Sequence, residues 1–216
     1  MKEYRAIPYV PGSWKVKSPL RYPGGKFYAL KHIMPYIECV EHDEYREPFL
    51  GGGSVFFAKQ KVQYNILNDL EQEIIHFYKS ILDDEMRNEL ISRFDTEVAN
   101  KKRHNEVKQM LPTTSLERAF KTYYLNRNFP TVELSTCLRG DMQKEKVLRR
   151  KIGESLLKIA AEKLRGVELF SLDYADILEL PAKGKSVLTY LDPPYFHADQ
   201  KRAYTKPFTL DEHFEV

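Results

Sequence analysis

The sequence predicts an α/β fold in which a helical module interrupts a sheet. Three observations carry this prediction. Before residue 83, short runs of β-branched and aromatic residues alternate with segments of helical periodicity. Between Asp83 and about Arg165 the strand pattern nearly disappears, and from Val167 it resumes. Strands and helices that alternate, then pause for a long run of helices, indicate one sheet with an inserted helical segment.

The first 82 residues alternate turns, strands and helices. Residues 1–17 have the composition of an irregular arm and residues 18–26 that of a loop punctuated by proline and glycine. Ser54 stands at a plausible N-cap after three glycines. We predict helices over 27–37, from Ser54 onward and over 70–82, and strands over 44–50 and 64–69.

The middle of the chain is helical in pattern, and the strand pattern returns after it. Pro112 and the segment 129–141 break the helical periodicity. We predict helices over 84–94, 97–111, 115–128 and 144–164, and then strands over 167–172 and 186–192. These elements divide the chain into an N-terminal part of the sheet domain (1–82), a basic helical insert (83–165) and a second part of the sheet domain (166–216).

Charge and cysteine content narrow the functional class. The net charge of the 216 residues is +3, but residues 101–150 hold twelve Lys and Arg against five Asp and Glu. A basic segment of this kind fits a nucleic-acid partner, although a solvated helical face has the same composition. The two cysteines, Cys39 and Cys137, form no CxxC pair, and no apolar segment has the length of a signal core or a membrane span. We expect a cytoplasmic protein without a metal site.

A glycine turn forms the first candidate site. Gly51-Gly52-Gly53 follows a predicted strand and precedes a helix, where glycine lets the backbone approach a ligand. Asp69 ends the next strand, sixteen residues after Gly53, where a nucleoside-binding fold places a carboxylate on ribose; a helix N-cap is the alternative. No GK(S/T) motif of the kind that binds ATP phosphates follows the turn. The glycines also lack the GxGxxG spacing that is usual for a dinucleotide site. The pattern therefore favours a nucleoside without a phosphate chain, with S-adenosylmethionine as the leading candidate.

The segment RYPGGK is a second candidate. Its two glycines allow a tight turn, so Tyr22 and Lys26 could flank a ligand from one side. An ordinary turn with a solvated lysine has the same sequence features, and the segment alone does not separate the two.

The third candidate is Asp192-Pro193-Pro194-Tyr195, at the end of an apolar strand. A methyltransferase that acts on adenine N6 has to activate a weak nucleophile, because the lone pair of this amino nitrogen is delocalised into the ring. A carboxylate and a neighbouring carbonyl can both accept hydrogen bonds from that amino group, and the prolines fix φ and remove competing donors. Tyr195 offers a face for an unstacked base. A Pro-Pro turn that ends a buried strand is the alternative reading.

Five segments taken together, SPLRYPGGKFYAL, EPFLGGGSVFF, NILNDLEQEII, LDYADIL and YLDPPYF, carry a family resemblance. In this order the chain resembles the Dam-like DNA adenine N6-methyltransferases. The resemblance implies a Rossmann-like methyltransferase sheet, S-adenosylmethionine as cofactor, no metal, and double-stranded DNA as partner. It also implies that the insert is a target-recognition domain.

The resemblance also implies roles for individual residues. Those expected at the cofactor are Tyr22, Lys26, Phe49, Gly51, Gly53, Ser54, Asp69 on the ribose, Asp173 near the adenine ring, and Asp192. Those expected to act on the target base are Asp192, Pro193, Pro194 and Tyr195. The polar segment that reads DNA in the family is only partly kept at 124–142, where Asn126, Arg127 and Arg139 are the candidate DNA contacts.

The sequence also departs from the family after Tyr195, since members continue with further strands. We therefore expect a sheet that is incomplete at its C-terminal part, with the strand 186–192 near an open edge or completed by a partner chain. A non-catalytic relic or subunit that binds cofactor or DNA is the main alternative function. Methylation of RNA or of a protein amide is disfavoured by the long basic insert, and zinc deamination is excluded because no P-C-x-x-C site is present.

Overall fold

The structure is a computed structural model that describes residues 17–22, 24–128, 146–147 and 150–194. The predictions made for the arm 1–16, Cys137, Arg139 and Tyr195 concern residues outside these ranges. After a 3-10 helix, Lys26–Ala29, the order of elements is α1 (Leu30–Glu38), β1 (Glu44–Glu47), α2 (Ser54–Ala58), β2 (Tyr64–Asn68), α3 (Gln72–Leu82), α4 (Asp84–Asp95), β3 (Val98–Ala99), α5 (Lys101–Gln109), α6 (Ser115–Asn128), β4 (Lys146–Val147), α7 (Arg150–Leu164), β5 (Glu168–Phe170), α8 (Tyr174–Glu179) and β6 (Val187–Thr189).

The main sheet has four parallel strands in the order β5-β2-β1-β6. The α/β prediction is therefore confirmed. Because the strands are parallel, their carboxyl ends all lie at one edge, where open α/β sheets bind ligands. The order puts β1, which leads into the glycine turn, between β2, which leads to Asp69, and β6, which leads to Asp192.

Strand β1 has the sequence EYRE, yet all four residues are buried. The charges are neutralised locally. Arg46 pairs with Glu44 at 2.7 Å and donates to the carbonyl oxygens of Ile177 and Leu180 at 2.9 and 2.8 Å. Buried charges are tolerated when they are paired and hydrogen-bonded in this way. Arg46 thereby joins the central strand to α8 and fixes that side of the sheet.

The helical module shares its core with the sheet domain. Phe77 on α3 stacks on Tyr123 of α6, with ring centroids 5.2 Å apart and planes 7° apart. Leu90 of α4, Phe120 of α6 and the buried face of α3 belong to one hydrophobic cluster that also contains sheet residues. The helices after Leu82 therefore continue the core of the sheet domain, and the predicted domain boundaries stay a prediction.

Several predicted element bounds were wrong. The predicted helix over 97–111 begins only at Lys101, because Val98–Ala99 pairs antiparallel with Lys146–Val147. Because of the same pairing, the helix predicted over 144–164 begins only at Arg150. Contacts between distant segments override local periodicity here. Asn100 caps α5 by accepting from the Arg103 amide at 2.8 Å.

At the glycine turn the cap of α2 also differs from the prediction. Gly53 is the N-cap, with φ +67°, and Ser54 is the first helical residue. A left-handed backbone at the cap position suits glycine and disfavours serine.

Strand β6 lies at one edge of the four-stranded sheet, with Val187 and Leu191 more than a third exposed. The prediction that further strands or a partner chain pair with this edge stays a prediction.

Candidate active site

A cavity of about 430 Å³ lies at the carboxyl edge of the sheet, where β1, β2 and β6 end. Its walls are the loops that follow these strands, together with the loop before α1 and the start of α8. All nine residues predicted to bind the cofactor line it: Tyr22, Lys26, Phe49, Gly51, Gly53, Ser54, Asp69, Asp173 and Asp192. Pro193 and Pro194 line it as well, so the three sequence motifs meet at one place.

The glycine turn forms the floor of this cavity. Gly51 has φ +50° and Gly53 φ +67°, and the Gly53 amide closes the turn on the Leu50 carbonyl at 2.7 Å. The Tyr22 ring lies directly on Gly51, so that a Cβ added there would be 2.8 Å from Tyr22 Cδ1. Position 51 therefore favours glycine for two reasons: its backbone is left-handed, and the Tyr22 ring occupies the space that a Cβ would need.

Asp69 fastens the end of β2 to the glycine turn. Its carboxylate accepts from the Gly51 amide at 2.6 Å and from the Glu71 amide at 2.9 Å. Glu71, not Asp69, is the N-cap residue of α3. Burial raises the pKa of Asp69 to about 6, while the two amides act in the opposite direction. Each carboxylate oxygen has a second lone pair, so a ribose hydroxyl can still be accommodated.

Asn68, which the sequence reading missed, joins three strand ends. Its side-chain nitrogen donates to the carbonyls of Pro48 and Leu172 at 2.9 and 3.0 Å, and its oxygen accepts from the Leu172 amide at 2.9 Å. Asn68 is buried, and it ends an apolar run next to Asp69. A polar residue at the buried end of a strand was the available signal, because such a group must find hydrogen-bond partners.

Tyr174 is a second residue that the sequence reading missed. It stacks on Phe49, with ring centroids 5.2 Å apart and planes 29° apart, and both residues line the cavity. Asp173 precedes it as the N-cap of α8 and accepts from the Ala175 amide at 3.0 Å. The cavity therefore has an aromatic wall on the side of α8.

Lys26 pairs with Asp192, and both residues line the cavity. Lys26 Nζ lies 2.5 and 2.6 Å from the two carboxylate oxygens of Asp192. Burial raises the pKa of Asp192, and the Lys26 charge opposes that effect. The predicted ligand contact of Lys26 stays a prediction, and the structure shows that Lys26 holds the Asp192 carboxylate. Pro193 lacks an N–H, so it cannot compete as a donor for Asp192.

Glu47, at the end of β1, is a further buried carboxyl group on the cavity wall. The Tyr45 hydroxyl donates to it at 2.8 Å. Burial raises the pKa of Glu47 to about 8, with the Asp192 charge adding to the rise and Lys59 opposing it. Glu47 is therefore protonated at neutral pH, which reduces the repulsion beside Asp192.

The cavity is acidic. Lys26 is the only basic side chain among the described residues that line it. The acidic ones are Glu47, Asp69, Glu71, Glu73, Asp173 and Asp192. Such a lining attracts cationic groups and repels phosphates. Within the described ranges, no group of three or more His, Cys, Asp or Glu side chains could hold a metal ion, and no helix is long and apolar enough to cross a membrane.

Of the predicted DNA contacts, Asn126 and Arg127 lie within the described residues, and neither lines the cavity. Arg127 is half-exposed near the end of α6. The side chain of Asn126 is engaged with the backbone of Arg21, from which it accepts at 2.8 Å and to which it donates at 2.6 Å. The prediction that these residues contact DNA stays a prediction.

The fold and the site define a class of protein. The sheet is parallel, and a glycine turn follows its inner strand β1. A carboxylate follows the neighbouring strand on one side, and the Asp-Pro-Pro corner follows the neighbouring strand on the other. This arrangement is that of a Rossmann-like methyltransferase. Residues 22–213 match the model of the D12 class N6 adenine-specific DNA methyltransferases, and the chain belongs to that family. The resemblance stated from the motifs is thereby confirmed.

Two relatives give the scale of the similarity. The chain is 25% identical over 214 residues to a DNA N-6-adenine-methyltransferase of Escherichia phage P1, covering 92% of this chain but only 26% of that protein. It is 25% identical over 207 residues to the type II methyltransferase M1.LlaDCHI of Lactococcus lactis subsp. cremoris, covering 86% of this chain and 68% of that enzyme. The chain therefore spans about a quarter of the phage protein and about two thirds of the bacterial one.

Proposed function

We propose that this chain transfers a methyl group from S-adenosylmethionine to N6 of an adenine in double-stranded DNA. The observation that carries the proposal is that the Asp192-Pro193 corner and the glycine turn line one cavity. A donor bound on the glycine turn and a base held at the corner would then lie side by side, which is the requirement for a direct transfer.

The charge of the cavity supports S-adenosylmethionine as the donor. Its sulfonium and α-amino groups are positive, and besides the protonated Glu47 the described lining has five acidic side chains against one basic side chain, Lys26. Asp69 would bind the ribose hydroxyls, and the Phe49–Tyr174 pair would flank the adenine ring, with Asp173 at its edge. The bound donor supplies an electrophilic methyl group. A dinucleotide with its phosphates would face repulsion in the same cavity.

Asp192 and Pro193 would orient the target amine. The Asp192 carboxylate would accept a hydrogen bond from the adenine amino group through a lone pair that Lys26 leaves open, and the Pro193 carbonyl would accept the second. Two acceptors in fixed positions favour a conformation of the amino group in which the nitrogen lone pair is not delocalised into the ring. The nitrogen is then a better nucleophile. Pro194 would keep the corner rigid, and Tyr195 would support the extruded base. The amine proton would leave to solvent after transfer.

The helical insert would be the part that binds DNA, and a cytoplasmic location is part of the same proposal. Residues 101–150 carry the local excess of seven positive charges. Arg127 at the end of α6 and Arg139 are the residues proposed to contact the duplex, because the side chain of Asn126 is bound to the backbone of Arg21. Binding that depends on Lys and Arg contacts to phosphates weakens steeply with salt.

Incorporation of labelled methyl from S-adenosylmethionine into unmethylated duplex DNA, followed by mapping of the modified base, tests the proposal. We expect label on adenine N6 with the wild-type chain and none above background with Asp192→Asn. Asp176→Asn is the matched control, because Asp176 is exposed on α8 and does not line the cavity. RNA and protein run in parallel as substrates.

Different failures point to different explanations. Cofactor binding in calorimetry without transfer to any substrate would support the alternative of a non-catalytic subunit. Label on RNA or protein but not on DNA would reject DNA as the substrate. Incorporation that survives Asp192→Asn would reject the assigned corner.

A further inference from the structure

Asn126, near the end of α6, makes an unusual contact for a residue expected at DNA. The Arg21 amide donates to Asn126 Oδ1 at 2.8 Å, and Asn126 Nδ2 donates to the Arg21 carbonyl at 2.6 Å. A side-chain amide that pairs with both polar groups of one residue gives it the same hydrogen bonds as a neighbouring strand. Asn126 thus fixes the backbone of Arg21 at two points.

The residues that follow Arg21 form one wall of the cavity. We call Tyr22, Gly24, Gly25 and Lys26 the front wall, since all four line the cavity. The Tyr22 ring packs on Gly51, and Lys26 holds Asp192. The front wall therefore determines where the Tyr22 ring lies over the glycine turn and where the Asp192 carboxylate is held. Its own position depends on how firmly the chain is held at Arg21.

Helix α6 is a rigid anchor for this contact. Arg118 pairs with Glu73 at 2.9 Å, and Glu73 also lines the cavity. Arg118 and Asn126 lie eight residues apart on α6, which is roughly two helical turns. Between them Tyr123 stacks on Phe77 in the core. The helix is thus joined to Glu73, which lines the cavity, and to Arg21, the residue before the front wall.

We propose that Asn126 is a positioning residue that holds the front wall in the conformation that binds S-adenosylmethionine. This inference rests on the proposed function. It gives Asn126 a role different from the DNA contact expected from the sequence, while the adjacent Arg127 keeps that expectation. Two consecutive residues of α6 would then serve different ligands, the cofactor through the front wall and the duplex directly.

Asn126→Ala tests the role, with two measurements on the full chain in the absence of DNA. Hydrogen exchange of the peptide that spans residues 18–26 should become faster, whereas exchange of α6 itself should not change, because alanine favours the helix. The dissociation constant of S-adenosylmethionine in calorimetry should rise, by about thirtyfold for two lost hydrogen bonds of typical net strength, since fewer molecules have the front wall in place.

Two variants serve as controls. Asn126→Asp keeps the acceptor for the Arg21 amide but places a carboxylate oxygen against the Arg21 carbonyl, so we expect the dissociation constant to rise about as much as in Asn126→Ala. Arg127→Ala, one residue further along the same helix, should leave cofactor affinity unchanged and weaken DNA binding. A general loss of stability would speed exchange in all segments, including α6, and would not single out residues 18–26.

The outcomes separate the inference from the proposed function. Cofactor affinity within about twofold of wild type in Asn126→Ala, with unchanged exchange, overturns the inference. So does a variant that weakens only DNA binding, because Asn126 would then be a DNA contact. A wild-type chain that does not bind S-adenosylmethionine refutes the proposed function instead, and the exchange measurement then decides alone whether Asn126 holds the front wall.

Discussion

The glycine turn supports a prediction with an internal control. Gly51 and Gly166 both have a left-handed backbone, with φ +50° and +73°. A Cβ at Gly51 would lie 2.8 Å from Tyr22 Cδ1, whereas a Cβ at Gly166 would meet nothing within 4 Å. Replacement of each by alanine therefore separates two costs, the strained backbone and the contact with Tyr22.

The magnitudes follow from these two terms. A left-handed alanine costs roughly 1–2 kcal/mol, which both variants share. The gain from a less flexible unfolded chain is also shared and cancels in the comparison. The contact with Tyr22 adds about 1–3 kcal/mol, the usual range for overpacking, unless the ring swings away. If the ring swings away, the stability cost falls but Tyr22 leaves the cavity wall, so cofactor affinity falls instead.

Urea unfolding and calorimetry measure the two effects. We expect Gly51→Ala to be less stable than Gly166→Ala, to bind S-adenosylmethionine more weakly, or both, while Gly166→Ala keeps wild-type affinity. Equal stability and equal affinity in the two variants would show that the packing of Tyr22 on Gly51 has no energetic consequence, and the account of the turn would be refuted.

Three further perturbations have defined expectations. Lys26→Met removes the charge that opposes the rise of the Asp192 pKa, so the acidic limb of the pH–rate profile of methyl transfer should move to higher pH; an unmoved limb contradicts the pairing. Glu47 has its pKa raised from 4.5 to about 8, so its contribution to stability is complete below pH 4.5 and is lost as the pH rises through 8. At about 1.4 kcal/mol per pKa unit, the loss of unfolding free energy between pH 4.5 and pH 8 is on the order of 5 kcal/mol. Urea unfolding at several pH values should therefore show that the unfolding free energy of Glu47→Gln changes less over this pH range than that of the wild type. Leu90→Ala should cost about 2–5 kcal/mol and lower a single cooperative transition, because α4 shares the core of the sheet domain; two separate transitions in calorimetry would indicate an independent helical domain.

The sequence by itself determined the class of fold and the place of the site. Alternating strand and helix patterns, the glycine turn and the Asp-Pro-Pro corner depend on neighbouring residues, so their signals are local. The nine residues predicted at the cofactor came from these motifs and from the family resemblance that the motifs carry, and all nine line one cavity. The residues that follow strands meet there because parallel strands end at one edge, whereas Tyr22 and Lys26, which precede the first strand, are brought there by tertiary contacts.

Tertiary structure decided what depends on distant partners. Val98–Ala99 is a strand only because Lys146–Val147 lies beside it, although its local pattern is helical. The charged strand EYRE is buried because Arg46 finds carbonyl oxygens on α8. Lys26 is an ion-pair partner of a residue 166 positions away, and Asn126 binds a backbone 105 positions away. The free energies of such contacts are set by three-dimensional proximity, and no window of sequence contains both partners.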